Sequence, residues 1–173
     1  MRARESKLIR FSPSFHVMTA TSPCLVTEMS ICRAYDDAPC EVVWKKIADW
    51  KSQGDWMLQT KVWVTSTQVE GVGTSIAAFT GPLYKFYPRF KNIGLLDLMT
   101  VSLWNPPHRC DVAHVGKVLK GSGSFQLSAI HGSSTRFDWS ETIVAPKAIF
   151  LLVAPFLYIG VRISLARFAR SFT

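Results

Sequence analysis

The stretch Trp104–Leu127, WNPPHRCDVAHVGKVLKGSGSFQL, decides how this chain folds. Proline lacks the amide donor that a sheet ladder needs and holds φ near one value, so Asn105-Pro106-Pro107 reads as a turn between strands. Gly121-Ser122-Gly123 reads as a second tight turn, and Arg109–Leu119 between them reads as a strand. A period of two places Cys110, Val112, His114, Gly116 and Val118 on one face and Asp111, Ala113, Val115 and Lys117 on the other. Asp111 and Lys117 belong in water, which turns His114 toward the interior.

Toward the C-terminus, Ser122–Ile130 alternates small polar residues with Gly123, Phe125, Leu127 and Ala129. His131-Gly132-Ser133-Ser134 reads as a hairpin loop. Thr135–Val144 is the last strand, and Glu141 shares parity there with Phe137, Trp139 and Ile143, so it points inward as well. Lys147–Phe172 is the segment long enough for a major helix. Its first half, AIFLLVAPFLYIGV, is apolar all round, but it is shorter than the roughly 20 residues that span a bilayer, and it holds Pro155. A buried helix with a proline kink follows, more exposed where Arg162, Arg167 and Arg170 appear.

Toward the N-terminus, Leu95–Trp104, Thr74–Thr80 and Met57–Ser66 read as strands. In the last of these Val62 and Val64 oppose Lys61, Trp63 and Thr65, and Gly71-Val72-Gly73 turns the chain into the next strand. Residues 81–94, GPLYKFYPRFKNIG, interleave aromatic and basic side chains around two prolines and read as a long loop. Trp50–Trp56 is a short helical turn ended by Gly54. Pro39–Asp49 is a helix with Val43 and Ile47 on one face, Trp44 beside them, and Asp37 favourable near its N-terminus. Thr27–Tyr35 is a first strand, and residues 1–26 read as a flexible N-terminal extension ahead of a domain over 27–173. That extension has no apolar run of secretory length, and Met18 and Met29 are alternative starts to Met1.

With 173 residues the chain is long enough to bury about 70% of its unfolded surface in one domain. The net charge is +8, but the body is nearly neutral: residues 1–30 carry four Lys/Arg against two acids, and residues 147–173 carry four against none. Basic ends without a basic stripe on the body argue against nucleic acid and fit an anionic membrane surface better. Cys24, Cys32, Cys40 and Cys110 form no C-x-x-C pair and have no histidine at ligand spacing, so free thiols are expected and no metal or cofactor. No G-x-S-x-G elbow occurs, and Gly71-Val72-Gly73-Thr74 is a hairpin turn rather than a phosphate cradle.

The order of elements is a strand, two short helices, a run of antiparallel strands and one long helix. Together with Asp37-Ala38-Pro39, Val43-Trp44, Ala48-Asp49-Trp50, Trp56, Gly71-Val72-Gly73-Thr74, Trp104-Asn105-Pro106-Pro107-His108-Arg109, Gly121-Ser122-Gly123-Ser124-Phe125 and Thr135-Arg136-Phe137-Asp138-Trp139, it resembles the START-like, polyketide cyclase/dehydrase-related (SRPBCC) superfamily over roughly residues 27–172. The resemblance implies an α+β helix-grip fold, a curved antiparallel sheet of six or seven strands wrapped around the C-terminal helix, with a cavity between them for a hydrophobic ligand. Lipid carriers, cyclases and hydroxylase components share that fold, so it does not choose among them.

Three functions are therefore expected in outline. The first is a cytoplasmic or membrane-associated carrier of a lipid, isoprenoid or polyketide-like molecule, lined by Val62, Val64, Phe79, Met99, Val112, His114, Phe125, Phe137, Trp139, Phe156 and Ile159. Tyr84, Phe86, Tyr87 and Phe90 would form its portal. The second is a cyclase, dehydratase or isomerase in which Glu141, its pKa raised by desolvation, and His114 move protons at a ligand carbonyl. The third is a peripheral membrane protein held by the last helix and the 81–94 loop.

Overall fold

The computed structural model describes residues 15–18, 24–35, 38–81, 93–131 and 133–172, and side chains in 38–81, 93–131, 133–144 and 158–172. The elements run β1 (Phe15–Met18), β2 (Cys24–Tyr35), α1 (Cys40–Ala48), α2 (Gln53–Trp56), β3 (Thr60–Val64), β4 (Ser75–Thr80), β5 (Leu95–Asn105), β6 (Arg109–Val115), β7 (Lys120–Ala129), β8 (Thr135–Pro146) and α3 (Lys147–Arg170). The strands form one antiparallel sheet in the order β1-β2-β8-β7-β6-β5-β4-β3. Sequential hairpins build β3 to β8. The first long strand, β2, closes against the last, pairing Cys24 with Pro146 through Tyr35 with Thr135.

Among the described residues the sheet has eight strands, because β1 forms inside the segment expected to be a flexible extension; β2 begins at Cys24 rather than Thr27. A second departure falls within Trp104–Leu127. β6 stops at Val115, the chain turns through Gly116–Leu119, and Gly121-Ser122-Gly123 lies inside β7. Lys117 thus sits in the turn rather than on an outer strand face. Gly54 likewise lies within α2, which ends at Trp56.

One face of the sheet carries the core. Val62, Ile76, Val101, Cys110, Val112, Leu127 and Phe137 are all buried there. A register shift between Val101 and Leu103 puts both Val101 and Trp104 inward although they are three residues apart, the usual effect of a bulge. α1 buries Cys40, Val43, Trp44 and Ile47, and α3 buries Ser164, Leu165 and Phe168, at helical spacing. An unbroken series of ring contacts then ties helices to sheet. Trp44 meets Trp104 at 5.0 Å, Trp104 meets Trp50 at 6.1 Å, and Trp50 meets Phe125 at 6.4 Å. Phe125 meets Phe137 and Phe137 meets Phe168, each at 6.4 Å, and Phe168 also touches Trp56 at 4.7 Å and Phe172 at 5.0 Å.

Polar contacts fix the same end. Leu58 N donates to Ser164 Oγ at 2.8 Å, and Lys46 Nζ donates to Ser171 O at 2.9 Å, so α3 is held by the segments on either side of α2. Thr135 Oγ1 donates to Ala38 O at 2.6 Å and pins the entry to α1. Phe168, with no exposed surface, is where these elements converge. Phe168→Ala is expected to cost about 3–5 kcal/mol in urea unfolding, as a large aromatic removed from a site that cannot collapse.

Candidate functional site

Away from the aromatic end, the inward face changes character. β5 brings Asp97, β6 brings His114 and β8 brings Glu141 to one place. Met99 pairs with His114, His114 with Gly121, and Gly123 with Glu141, so all three side chains rise from the same face. Nδ1 of His114 lies 2.8 Å from Asp97 Oδ2, and Nε2 lies 3.2 Å from Glu141 Oε1. The first contact is a hydrogen bond. The second is an ion-pair contact without hydrogen-bond alignment, which leaves Nε2 without a hydrogen-bond partner among the described residues.

His114 can reach Glu141 only because β7, which runs between them, presents glycine. Strands two apart are separated by about 9.6 Å, and any side chain on β7 would stand in that gap. A Cβ on Gly123 would lie 3.1 Å from Val112 Cγ2 and 3.6 Å from His114 Nε2. At Gly121, φ is +135° and a Cβ would lie 1.8 Å from Thr142 O, so no other residue fits.

Burial alone would discharge an imidazole this enclosed; its side chain is 1% exposed. That desolvation is the strongest single influence, and it lowers the pKa. The hydrogen bond with Asp97, the close approach of Glu141 and the charges of both together outweigh it and hold His114 up at about 10, against an ordinary 6.5. The ring of His114 is thus held in its charged form between the carboxyl groups of Asp97 and Glu141. The two acids contact opposite nitrogens of the ring, so the three cannot converge on one cation, and no group with metal-ligand geometry occurs among the described residues. Cys110, on the same face, has its thiol pushed up to about 12 by burial and secondarily by the charge of Asp111, and is inert. Cys40 is likewise buried and free.

No family model and no curated protein matches the sequence, but solved structures match the fold. The Zhui aromatase/cyclase from Streptomyces sp. R1128 superposes with a TM-score of 0.68 at 12% identity, covering 85% of this chain and 93% of its own. A START superfamily protein from Mycobacterium smegmatis gives 0.64 at 11% identity over 84% and 99%. A Thermus thermophilus protein gives 0.66 at 16% over 84% and 96%. The fold is START-like. At these identities the likeness concerns the helix-grip architecture and leaves the chemistry to this chain's own residues.

Within that START-like frame, His114 and Glu141 come together, and Asp97 joins them although the sequence pattern did not single it out. Its signal was an acid in the apolar run Leu95-Leu96-Asp97-Leu98-Met99, in phase with Leu95 and Met99. Instead of the apolar wall expected around it, Glu141 has a cation. Val62 and Val112 are buried on the inward face, with Val64, Met99 and Trp139 half-buried on the same face. Phe125 and Phe137 are enclosed in the aromatic series. Phe79 is half-buried and pairs with Lys61 and Leu96, which places it on the outer face rather than the lining. Ile159 is 53% exposed and does not line the interior, because the face of α3 that packs inward carries Ser164, Leu165 and Phe168. The side chain of Phe156 and the portal residues Tyr84, Phe86, Tyr87 and Phe90 lie outside the described residues. The ends of that loop meet closely: a Cβ on Gly94 would come within 2.9 Å of Gly81 Cα.

A folded pKa raised above the unfolded value stabilises the protein fully below about 6.5, and that contribution is lost as pH rises through about 10. The stability advantage of the native protein over His114→Gln is therefore expected to be largest below pH 6.5 and to shrink steadily toward pH 10, which urea titrations across that range measure. The two glycine demands separate as well. Gly73 has φ +91° with nothing within 4 Å of an added methyl, whereas Gly121 adds a collision with Thr142 O. Gly73→Ala is expected to cost about 1–2 kcal/mol, and Gly121→Ala at least about 3 kcal/mol, by the same assay.

Proposed function

We propose that this chain binds a small hydrophobic molecule against the inward face of its sheet, with Asp97, His114 and Glu141 as the polar anchor. The observation that carries this reading is a buried ion cluster on an otherwise apolar face. Ligand sites of this kind are mostly apolar with a few placed polar groups that fix orientation. The START-like fold and its neighbours support a binding role, and the excess of basic residues at both ends of the chain supports uptake of the ligand from an anionic membrane surface. No helix among the described residues is long and apolar enough to cross a membrane.

Proton transfer by the same cluster is a second reading, favoured by the approach of a histidine to two carboxylates. It is the weaker one. A cationic His114 is a poor general base at neutral pH, and both of its nitrogens already face carboxylates. A site organised in this way suits holding a polar group better than exchanging protons with it.

Native mass spectrometry of protein stripped of bound molecules and then offered a panel of fatty alcohols, sterols, isoprenoids and aromatic polyketides tests the reading. A one-to-one complex with at least one class is expected, weakened at least about tenfold in His114→Ala. Failure of every class to bind would overturn it.

A further inference from the structure

The outer face of the sheet is divided as sharply as the inner one. Across β6, β7 and β8 it is polar. Ala113, Ser122 and Thr142 form one cross-strand row, Asp111, Ser124 and Ser140 form the next, and Arg109 and Arg136 pair with acids on their own strands. Across β3, β4 and β5, toward the end where β4 stops and β5 starts, the rows are apolar. Lys61, Phe79 and Leu96 form one row, and Trp63, Ala77 and Leu98 form the next. Val115 follows on β6, opposite Lys120 of β7. The β6–β7 turn folds against the same corner, where a Cβ on Gly116 would lie 3.7 Å from Leu98 N. Leu96, Leu98, Val115 and Val118 are between 38% and 59% exposed. Apolar residues gathered on one surface in this way mark an interaction site, which scattered single ones do not.

The charge around the patch has one sign. Lys61, Lys117 and Lys120 are exposed beside it, and among the described residues no Asp or Glu stands at an outward position of either apolar row or in the β6–β7 turn. The sequence that follows Gly81 continues this bias, with Lys85, Arg89 and Lys91 and no acid in 82–92. Lys61 Nζ stands 5.8 Å from the centroid of the Trp63 ring. Amphipathic side chains paired in this way suit a membrane interface, with the ring toward the acyl chains and the ammonium among phosphates. A second copy of the chain is the poorer occupant. In a two-fold pairing the patch would meet itself, and lysines would face lysines with no acid there to offset them.

We propose that this corner of the outer sheet face docks on an anionic lipid surface, with Leu96, Leu98, Val115 and Val118 entering the headgroup region and Lys61, Lys117 and Lys120 meeting lipid phosphates. The assignment goes beyond the ligand site, which lies on the opposite face of the sheet, and it stands independently of ligand binding. It also gives uptake from a membrane a defined contact. β5 serves both faces in alternation, since Leu96 and Leu98 point outward and Asp97 between them reaches His114.

Cosedimentation of the full-length protein with vesicles tests the contact, using phosphatidylcholine alone and phosphatidylcholine mixed in equal parts with phosphatidylglycerol. Binding is expected on the anionic vesicles, far weaker on phosphatidylcholine, and reduced by salt. Leu96→Ser combined with Leu98→Ser is expected to weaken it at least about tenfold, and Lys61→Gln and Lys120→Gln about fivefold each. Val69→Ser combined with Val72→Ser, which alters equally exposed residues in the β3–β4 connection, is expected to change nothing. Urea unfolding confirms that each variant is folded, and the lysine variants carry the test if the leucine pair is not. No binding of the unsubstituted protein to anionic vesicles would overturn the proposal. So would undiminished binding by both the leucine and the lysine variants, which would move the contact to the basic ends of the chain. Dimerisation without lipid that is lost on substituting the leucines would also overturn it, by giving the patch to a second copy. Ligand binding is measured on the same protein without vesicles, so its failure removes the anchor site and leaves this contact standing.

Discussion

The inward face of one sheet does two incompatible jobs, and the molecule solves this by dividing the face along its length. At one end the ring series from Trp44 to Phe172 packs two helices, the α2 turn and three strands into a single solid core. Rings at these separations exclude water and fix each other's orientation, so α3 is anchored through its C-terminal half. Everything that requires the sheet and the long helix to keep a fixed relation depends on that anchor. With the grip secured there, the other end of the face is free to carry charge.

The charged end makes its own demand on the sheet. A buried imidazolium is tolerable only while both carboxylates face it, and they come from strands on either side of β6, one adjacent and one across β7. A slip of one residue in any of the intervening ladders would send one partner to the solvent face. Gly121 and Gly123 meet the remaining requirement by keeping the intervening strand flat beneath the pair. Contrast the outer face, where Arg109 with Asp111 and Arg136 with Asp138 are exposed pairs two residues apart on one strand, of a kind worth little to stability. The same residue types are decorative on one side of the sheet and structural on the other, and burial makes the difference.

Much of the fold was legible in the sequence because its strands alternate cleanly. Cys110, Val112 and His114 show the period of two, and Phe137, Trp139 and Glu141 show it again, so the inward parity of the histidine and glutamate could be read without coordinates. The glycines misled. Gly121-Ser122-Gly123 has the composition of a tight turn, yet the turn lies just before it, where Gly116-Lys117-Val118-Leu119 carries weaker signals. Local propensity lost to a tertiary need, since β7 requires glycine wherever a side chain would block His114. Asp97 escaped notice for a related reason. A lone acid in an apolar strand reads as an interruption until its partner on the next strand is known, and sequence alone does not provide strand register. β1 was hidden in a segment whose own composition does not announce a strand, so only its pairing with β2 reveals it.

The START-like architecture sets few limits on chemistry, so what separates one member from another must lie in the polar groups on the inward face. In this chain three ionisable side chains meet there, and Asp97 Oδ1 and His114 Nε2 are without hydrogen-bond partners among the described residues. A cluster built only for stability would satisfy its own atoms, because a half-paired buried network costs more than an apolar patch of the same shape. A cluster built for proton transfer would keep its histidine near neutrality, and here the two acids drive it the other way.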